Sequence, residues 1–288
     1  MTASNQAMLS ILLFIPVVLL ALVVKNPYVL FLGFLPFIYV YKKFSEHSRL
    51  KSEYTNSFKQ KVIGGMLRLF SDDLNIVPQS SITEREYREA DLFRERLDTF
   101  RGSDLVQGKV VATEIKFSEL LHKERHSDGK RTYWITVFKG IFFIADFNKN
   151  FNGRTFVLPD SGIDLFGIGK MLEKWFEGRG EPVTMENPAF EKLFKVFSDD
   201  QVEARYILST SLMERLVEFR SKVKNNISVS FIHSKVFLAI LLAKDLFEPN
   251  EFSSGVKSDY LKEYFYYLNL IVGIVDDLNL ITRVWSKQ

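Results

Sequence analysis

Apolar positions change their period several times along this chain of 288 residues, and each change marks an element. Residues 2 to 41 hold no acidic side chain and one basic one, Lys25, which separates the apolar runs Met8 to Val24 and Tyr28 to Tyr41. A helix needs about 20 apolar residues to cross a hydrocarbon core roughly 30 Å thick. The uncharged stretch Thr2 to Val24 meets that length. The second run is short for a full crossing unless Lys25 and Lys42 reach out to the headgroups or the bilayer thins. Between the runs, Lys25-Asn26-Pro27 supplies a charge, a turn former and a helix breaker. The pattern therefore predicts an N-terminal transmembrane hairpin over 1–43, with segments 8–24 and 28–41; one span plus an interfacial segment is the alternative.

Beyond the anchor, Leu50, Tyr54, Phe58, Val62, Met66 and Phe70 recur at intervals of four and predict a helix over 44–70. Thr83-x-x-Glu86 is a capping box that opens a second helix to about Phe100, so 44–101 reads as a helical linker. The period then becomes two. Residues 105–125 and 131–147 predict two long antiparallel strands joined by His126-Ser127-Asp128-Gly129-Lys130, in which Asp-Gly is a strong hairpin turn. Asn152-Gly153 turns into a short strand, Thr155 to Leu158, ended by Pro159. Residues 160–182 read as a Gly-punctuated loop with one short helix containing Met171, Leu172, Trp175 and Phe176. A strand at 193–197, helical residues 199–222, the alternation Ile227, Val229, Phe231 and its partner Val236 to Leu242 follow. A last helix carries Leu261, Tyr264, Phe265, Leu268, Ile271, Val272, Val275 and Leu278 on the face that packs on a sheet. Without regular strand–helix–strand alternation, residues 102–288 are expected to be α+β: antiparallel sheet with flanking helices, with 102–181 and 182–288 as sub-halves.

Charge sets the orientation. The first seven residues carry no charged side chain, whereas Lys42, Lys43, Arg49, Lys51, Lys59, Lys61 and Arg68 face only Glu46 and Glu53 over 42–68. Positive flanks stay cytoplasmic, which places the large C-terminal part at the cytoplasmic face of an inner membrane. A cleaved signal peptide fits poorly, because no basic n-region or small-x-small site precedes Lys25. A net charge of +3 argues against nucleic-acid binding by bulk charge. The absence of Cys removes disulfides, thiolate catalysis and Cys-based metal sites. No cofactor motif is present: Gly162-x-x-x-x-Gly167-x-Gly169-Lys170 lacks the spacing and preceding strand of a phosphate loop.

Two residue sets carry candidate chemistry. His122, Glu124 and His126 alternate on one strand and share a face, as two imidazoles and a carboxylate of a metal site would. An exposed hairpin tip lacks the packed surroundings that orient ligands, so metal binding is only a weak reading. Phe-Ser-Asp-Asp occurs at 70–73 and 197–200, and Asp276-Asp277 adds a third acidic pair. Paired carboxylates can hold Mg²⁺, but Ser198 ahead of Asp199, Asp200 and Gln201 reads as a helix N-cap with acids complementing the dipole. The best candidates for touching anionic headgroups are Lys42, Lys43, Arg49 and Lys51 after the anchor and Lys123, Arg125, Lys130 and Arg131 at the hairpin tip.

Phe138-Lys139-Gly140-Ile141-Phe142-Phe143-Ile144-Ala145-Asp146-Phe147-Asn148-Lys149, Gly153-Arg154-Thr155-x-Val157-Leu158-Pro159 and Phe197-Ser198-Asp199-Asp200-Gln201-Val202-Glu203-Ala204-Arg205-Tyr206-Ile207-Leu208 form a specific pattern, continued by Met213-Glu214-Arg215-Leu216. With these, the chain resembles the bacterial family of domain of unknown function 3137 from the anchor to Trp285. The resemblance implies a membrane protein with a short N-terminal hydrophobic region and a cytoplasmic domain. It brings no catalytic residues. The expected function is a membrane-anchored, non-enzymatic interaction domain that binds a membrane-protein partner or the anionic lipid surface. The alternative is a membrane-associated hydrolase in which Asp199 and Asp200 use a divalent metal.

Overall fold

The computed structural model describes residues 29–146, 151–160, 178–242, 246–248 and 258–277. The chain divides into two units, Met1–Ser57 and Phe58–Gln288. The described part of the first is helix α1, Val29–Phe58 bar its last residue. It runs without a break through Lys42 and Lys43, so residues 29–41 of the second apolar run and the basic stretch after them lie on one helix. Among the described residues, no helix is long and apolar enough to cross a membrane. The expected span Met8 to Val24 lies outside the described residues.

In the second unit the backbone passes through a π turn, Lys59–Ile63, and a short helix α2, Gly64–Leu67. Strand β1 is Asn75–Val77. Helix α3, Glu84–Glu89, opens on the expected capping box, with Glu86 N–H donating to Thr83 Oγ1 and Thr83 N–H to the Glu86 carboxylate. It stops at Ala90 because Asp91 takes φ +50°, which no helix continues through, so the second helix is shorter than the one predicted to about Phe100.

The predicted strand 105–125 is two strands. Strand β2, Thr99–Val110, and β3, Thr113–Ser127, pair antiparallel around Val111-Ala112. That turn was illegible because Val111 takes φ +56°, a conformation a β-branched residue rarely adopts. Strand β4, Thr132–Asp146, follows the Asp-Gly turn as expected, and β5, Arg154–Pro159, follows Asn152-Gly153. The short helix expected around Trp175 lies outside the described residues. Then come β6, Glu181–Val183; α4, Pro188–Glu191; β7, Phe194–Ser198; α5, Gln201–Ile207; and α6, Thr210–Val223. Strands β8, Ile227–Ile232, and β9, Lys235–Leu241, form the predicted hairpin, and α7, Ser258–Asp277, is the last helix.

The nine strands among the described residues join one sheet in the order β1-β2-β3-β4-β9-β8-β5-β7-β6, with every neighbour antiparallel. Because β9 and β8 insert between β4 and β5, the proposed sub-halves 102–181 and 182–288 do not separate. Successive side chains on a strand point to opposite faces. Ile141, Phe143 and Ala145 of β4 and Val236, Leu238 and Ile240 of β9 therefore face one layer, with Phe58, α2, α4, α6 and α7. Phe138, Phe142 and Ile144 with Phe237 and Ala239 face a second layer under Ile82, Tyr87, Leu92 and Phe93.

Candidate functional site

The β3–β4 hairpin outruns its neighbours. Pairing of β2 with β3 ends at Thr99↔Lys123, and pairing of β4 with β9 begins at Gly140↔Leu241. Beyond those points, among the described residues, β3 and β4 pair only with each other, through Glu124↔Ile135, Arg125↔Trp134, His126↔Tyr133 and Ser127↔Thr132. A bulge between His122 and Lys123 precedes this two-stranded tip. The turn is closed by Asp128 Oδ1, which accepts from the N–H groups of Lys130 (2.9 Å) and Arg131 (2.6 Å), while Gly129 takes φ +84°. Those backbone hydrogen bonds hold the Asp128 carboxyl below its ordinary range. A loop braces one edge: Arg125 N–H donates to Asp98 Oδ2 (2.8 Å), and Arg96 Nη2 donates to Arg125 O (2.5 Å).

The structure brings Lys123, Arg125, Lys130 and Arg131 together on this tip, with Arg125, Lys130 and Arg131 exposed and Lys123 half-buried. The tip's acids are engaged within it. Asp128 serves the turn, and Glu124 Oε2 lies 2.9 Å from His126 Nε2. Lys42, Lys43, Arg49 and Lys51 are exposed on α1, where Lys43 pairs with Glu46 at 3.2 Å and Arg49 with Glu53 at 3.6 Å. Sequence reasoning missed two neighbours of the basic turn, Tyr133 and Trp134, which are 49% and 51% exposed. Their position just after Lys130 and Arg131 is the signal the sequence offers, although alternation alone does not distinguish them from other strand residues.

One cation of the 42–68 stretch leaves the surface altogether. Lys59 is buried in the π turn, its Nζ 2.8 Å from Asp104 Oδ2 and 2.7 Å from Glu248 Oε1. Asp104 is turned inward by a β2 bulge between Ser103 and Val106, at φ +61°. Burial works against the Lys59 charge, yet Asp104 and Glu248 outweigh it and hold the ammonium above its ordinary value.

His122 does not join Glu124 and His126 as a metal ligand. It is fully buried, its Nδ1 3.1 Å from the Tyr87 hydroxyl and its Nε2 3.2 Å from Arg96 O, so both ring nitrogens are engaged. His126 stacks on Tyr133 with ring centroids 5.7 Å apart. Among the described residues, no group of three or more His, Asp or Glu is arranged to hold a metal ion. Burial pushes the His122 pKa down, partly offset by the Arg96 carbonyl. A histidine depressed in the folded state contributes stability that is present above its ordinary 6.5 and lost as pH falls through the folded value. Thermal unfolding from pH 7.5 to pH 5 should therefore show a falling Tm, and His122→Gln, which keeps hydrogen-bonding groups but does not titrate, should flatten that fall. An equal fall in both proteins would reject the assignment.

Asp199 and Asp200 are also committed elsewhere. The helix cap is Asp200, not Ser198: its Oδ1 accepts from Val202 N–H (2.8 Å) and Glu203 N–H (3.0 Å). Ser198 Oγ instead lies 2.9 Å from Thr155 Oγ1 across β5 and β7. Arg154 grips Asp199 with Nε to Oδ2 at 2.8 Å and Nη2 to Oδ1 at 3.1 Å, and reaches Asp91 Oδ2 with Nη1 at 2.9 Å. Those hydrogen bonds hold the Asp199 carboxyl below its ordinary range. Neither acid lines the hollow of about 250 Å³ beside Ser103, Glu119 and Glu248 or the one of about 530 Å³ beside Glu86, Lys109 and Asp146.

No curated protein matches the chain in sequence. The crystal structure of the mycobacterial trehalose monomycolate transport factor A, TtfA, aligns with a TM-score of 0.40 and 9% identity, over 80% of this chain and 99% of that one. That likeness is too distant to carry an argument. A family match is direct: it begins at Thr136 inside β4, takes in the β8–β9 hairpin that completes the sheet, and ends beyond α7. Through that match, over residues 136–280, the chain belongs to the family described as Protein of unknown function (DUF3137).

Proposed function

We propose that this protein is a membrane-anchored, non-enzymatic interaction domain held against anionic lipid at the cytoplasmic face of a bacterial inner membrane, where it also meets a membrane-protein partner. The observation that carries this reading is the β3–β4 tip: a projecting ribbon whose acids are internally engaged while Arg125, Lys130 and Arg131 face out. Each Lys or Arg near an anionic surface contributes about 1 kcal/mol, screened within a Debye length. The exposed Lys42, Lys43, Arg49 and Lys51 on α1 add to that attraction next to the apolar runs. The anchor is the hairpin of Met8 to Val24 and Tyr28 to Tyr41, with both ends of the chain cytoplasmic. The engagement of Asp199 by Arg154 and of Asp200 by a helix end favours this over the hydrolase.

The full-length chain, reconstituted in nanodiscs of phosphatidylcholine with or without phosphatidylglycerol, tests the reading. Amide exchange over residues 123–136 should slow in the anionic discs, recover in high salt, and lose its lipid dependence when Lys123, Arg125, Lys130 and Arg131 are replaced by Ser. Equal exchange in both lipids would leave only a protein partner at this surface. In cells, a reporter after Gln288 should read cytoplasmic and one beside Asn26 should read on the far side; protection of both sites from external labelling would defeat the hairpin.

A further inference from the structure

The tip has two unlike faces. Directly paired residues of an antiparallel ribbon share a face, and so do residues two apart on one strand. Arg125↔Trp134 and Lys123↔Thr136 therefore share one face, together with Ser127↔Thr132. The other face holds His126, Tyr133 and Glu124, where Tyr133 stacks on His126 and Glu124 contacts His126. The aromatic of the second face thus has a partner within the hairpin. Trp134, half-exposed, stands among cations and small hydroxyl side chains.

The face with Trp134 can be assigned to one of the two layers of the sheet. Along β3, alternation puts Lys123 and Arg125 opposite the side of Leu120 and His122, which belongs to the layer around Tyr87. Lys123, Arg125 and Trp134 are therefore on the side of the sheet that carries the other layer, to which Phe58 contributes. Resting on the reading above, we propose that this face of the β3–β4 tip lies flat on anionic lipid, with the Trp134 indole at the boundary between headgroups and acyl chains and Lys123 and Arg125 on the phosphates around it.

The physical case is complementarity of two kinds on one face. Indole is amphipathic and collects at membrane interfaces, where its ring is apolar and its N–H finds water or headgroup oxygens. Lys and Arg place their charged ends in the headgroup layer while their methylene stems lie along apolar surface. A partner that recognised the cations alone would gain nothing from the exposed indole beside them. An anionic bilayer takes up both.

The chain contains no Cys, so single labelling sites can be introduced in the full-length protein without removing any residue that reacts. Thr132→Cys reports the Trp134 face, Tyr133→Cys the opposite face, and Glu114→Cys the far end of β3; each would carry an environment-sensitive fluorophore in nanodiscs. With phosphatidylglycerol and lipids spin-labelled high on the acyl chain, the label at 132 should shift to shorter wavelength and be quenched, while those at 133 and 114 stay as in phosphatidylcholine alone. Trp134→Ser should return the label at 132 to the level of the label at 114. A second label at Thr136 on the Trp134 face repeats the measurement if Thr132→Cys disturbs the turn. Equal quenching at 132 and 133, or none at either while exchange over 123–136 still responds to anionic lipid, would overturn insertion of the indole and leave electrostatic contact standing. No response to anionic lipid in either measurement would overturn both.

Discussion

Lys59→Ala should destabilise the folded domain by about 3–5 kcal/mol, the usual cost of removing one partner from a buried ion pair. The Lys59 side chain is 4% exposed and that of Asp104 fully buried, whereas Glu248 is half-exposed. Deletion of the ammonium leaves the Asp104 carboxylate buried, with Ser103 Oγ at 3.1 Å and Glu248 still nearby. Urea unfolding of the full-length chain followed by tryptophan fluorescence measures the loss. Lys59→Met combined with Asp104→Asn should recover most of it, since the charges leave together and Asn tolerates the φ of +61°. The deficit also has a sign with pH. Burial pushes the Asp104 pKa above its ordinary 3.8 even with Lys59 opposing it, and without Lys59 it rises further. An acid with a raised folded pKa costs stability as pH climbs through that value, so the Lys59→Ala deficit should narrow as pH falls from 7 toward 4. For the intact pair, Lys59 is raised, so its stabilisation is complete below 10.5 and lost at higher pH as the ammonium deprotonates. A loss under about 1 kcal/mol, the range of exposed pairs, would show that water reaches Lys59.

Gly140→Ala should be at least as damaging. Gly140 has φ +152°, and a Cβ there would stand 1.9 Å from Ile240 O and 2.8 Å from Leu242 N. Those are backbone atoms at the end of β9 and just past it, where Leu242 N–H donates to Lys139 O at 2.9 Å, so nothing flexible can yield. The added methyl would part β4 from β9, the seam that ties β1–β4 to the remaining strands of the sheet. A cost above about 4 kcal/mol is expected, within the exceptional range reserved for such clashes. Gly129→Ala supplies the comparison. It also has positive φ, +84°, but a Cβ there meets nothing within 4 Å, so only the backbone strain of about 1–2 kcal/mol is expected. Similar losses at both positions would mean that conformation rather than the close approach of β9 sets the cost at Gly140. Amide exchange would locate the damage: strand β9 should lose protection in the Gly140 variant and keep it in the Gly129 variant.

The second unit begins at Phe58, directly before the buried ion pair. Phe58 packs into the layer around Phe143, with its ring 5.8 Å from that of Tyr264, and Lys59 follows it into the bulge of β2.

Local patterns in the sequence determined the elements. The capping box at Thr83 and Glu86, the Asp128-Gly129 turn, the alternation from Ile227 to Phe231 and the stripe of α7 each act over a few residues, where hydrogen-bond reach and side-chain period suffice. The presence of an α+β domain with antiparallel sheet followed from them. Only the tertiary structure decided the partners. Alternation in β4 is equally satisfied by any apolar strand, and its neighbour β9 lies far along the chain, so the interleaved order that merges the expected sub-halves left no local trace. The turn at Val111-Ala112 was hidden for the opposite reason: tertiary pairing of β2 with β3 imposes a left-handed backbone on a valine that would not choose it. The same holds for the candidate surface. The cations of the tip were legible as charges beside a turn, but the burial of Lys59 depends on a bulge 45 residues away, and the exposure of Trp134 on how far the hairpin outruns its neighbouring strands. Burial is a property of what packs against a residue, and that is set by contacts between segments the sequence does not pair.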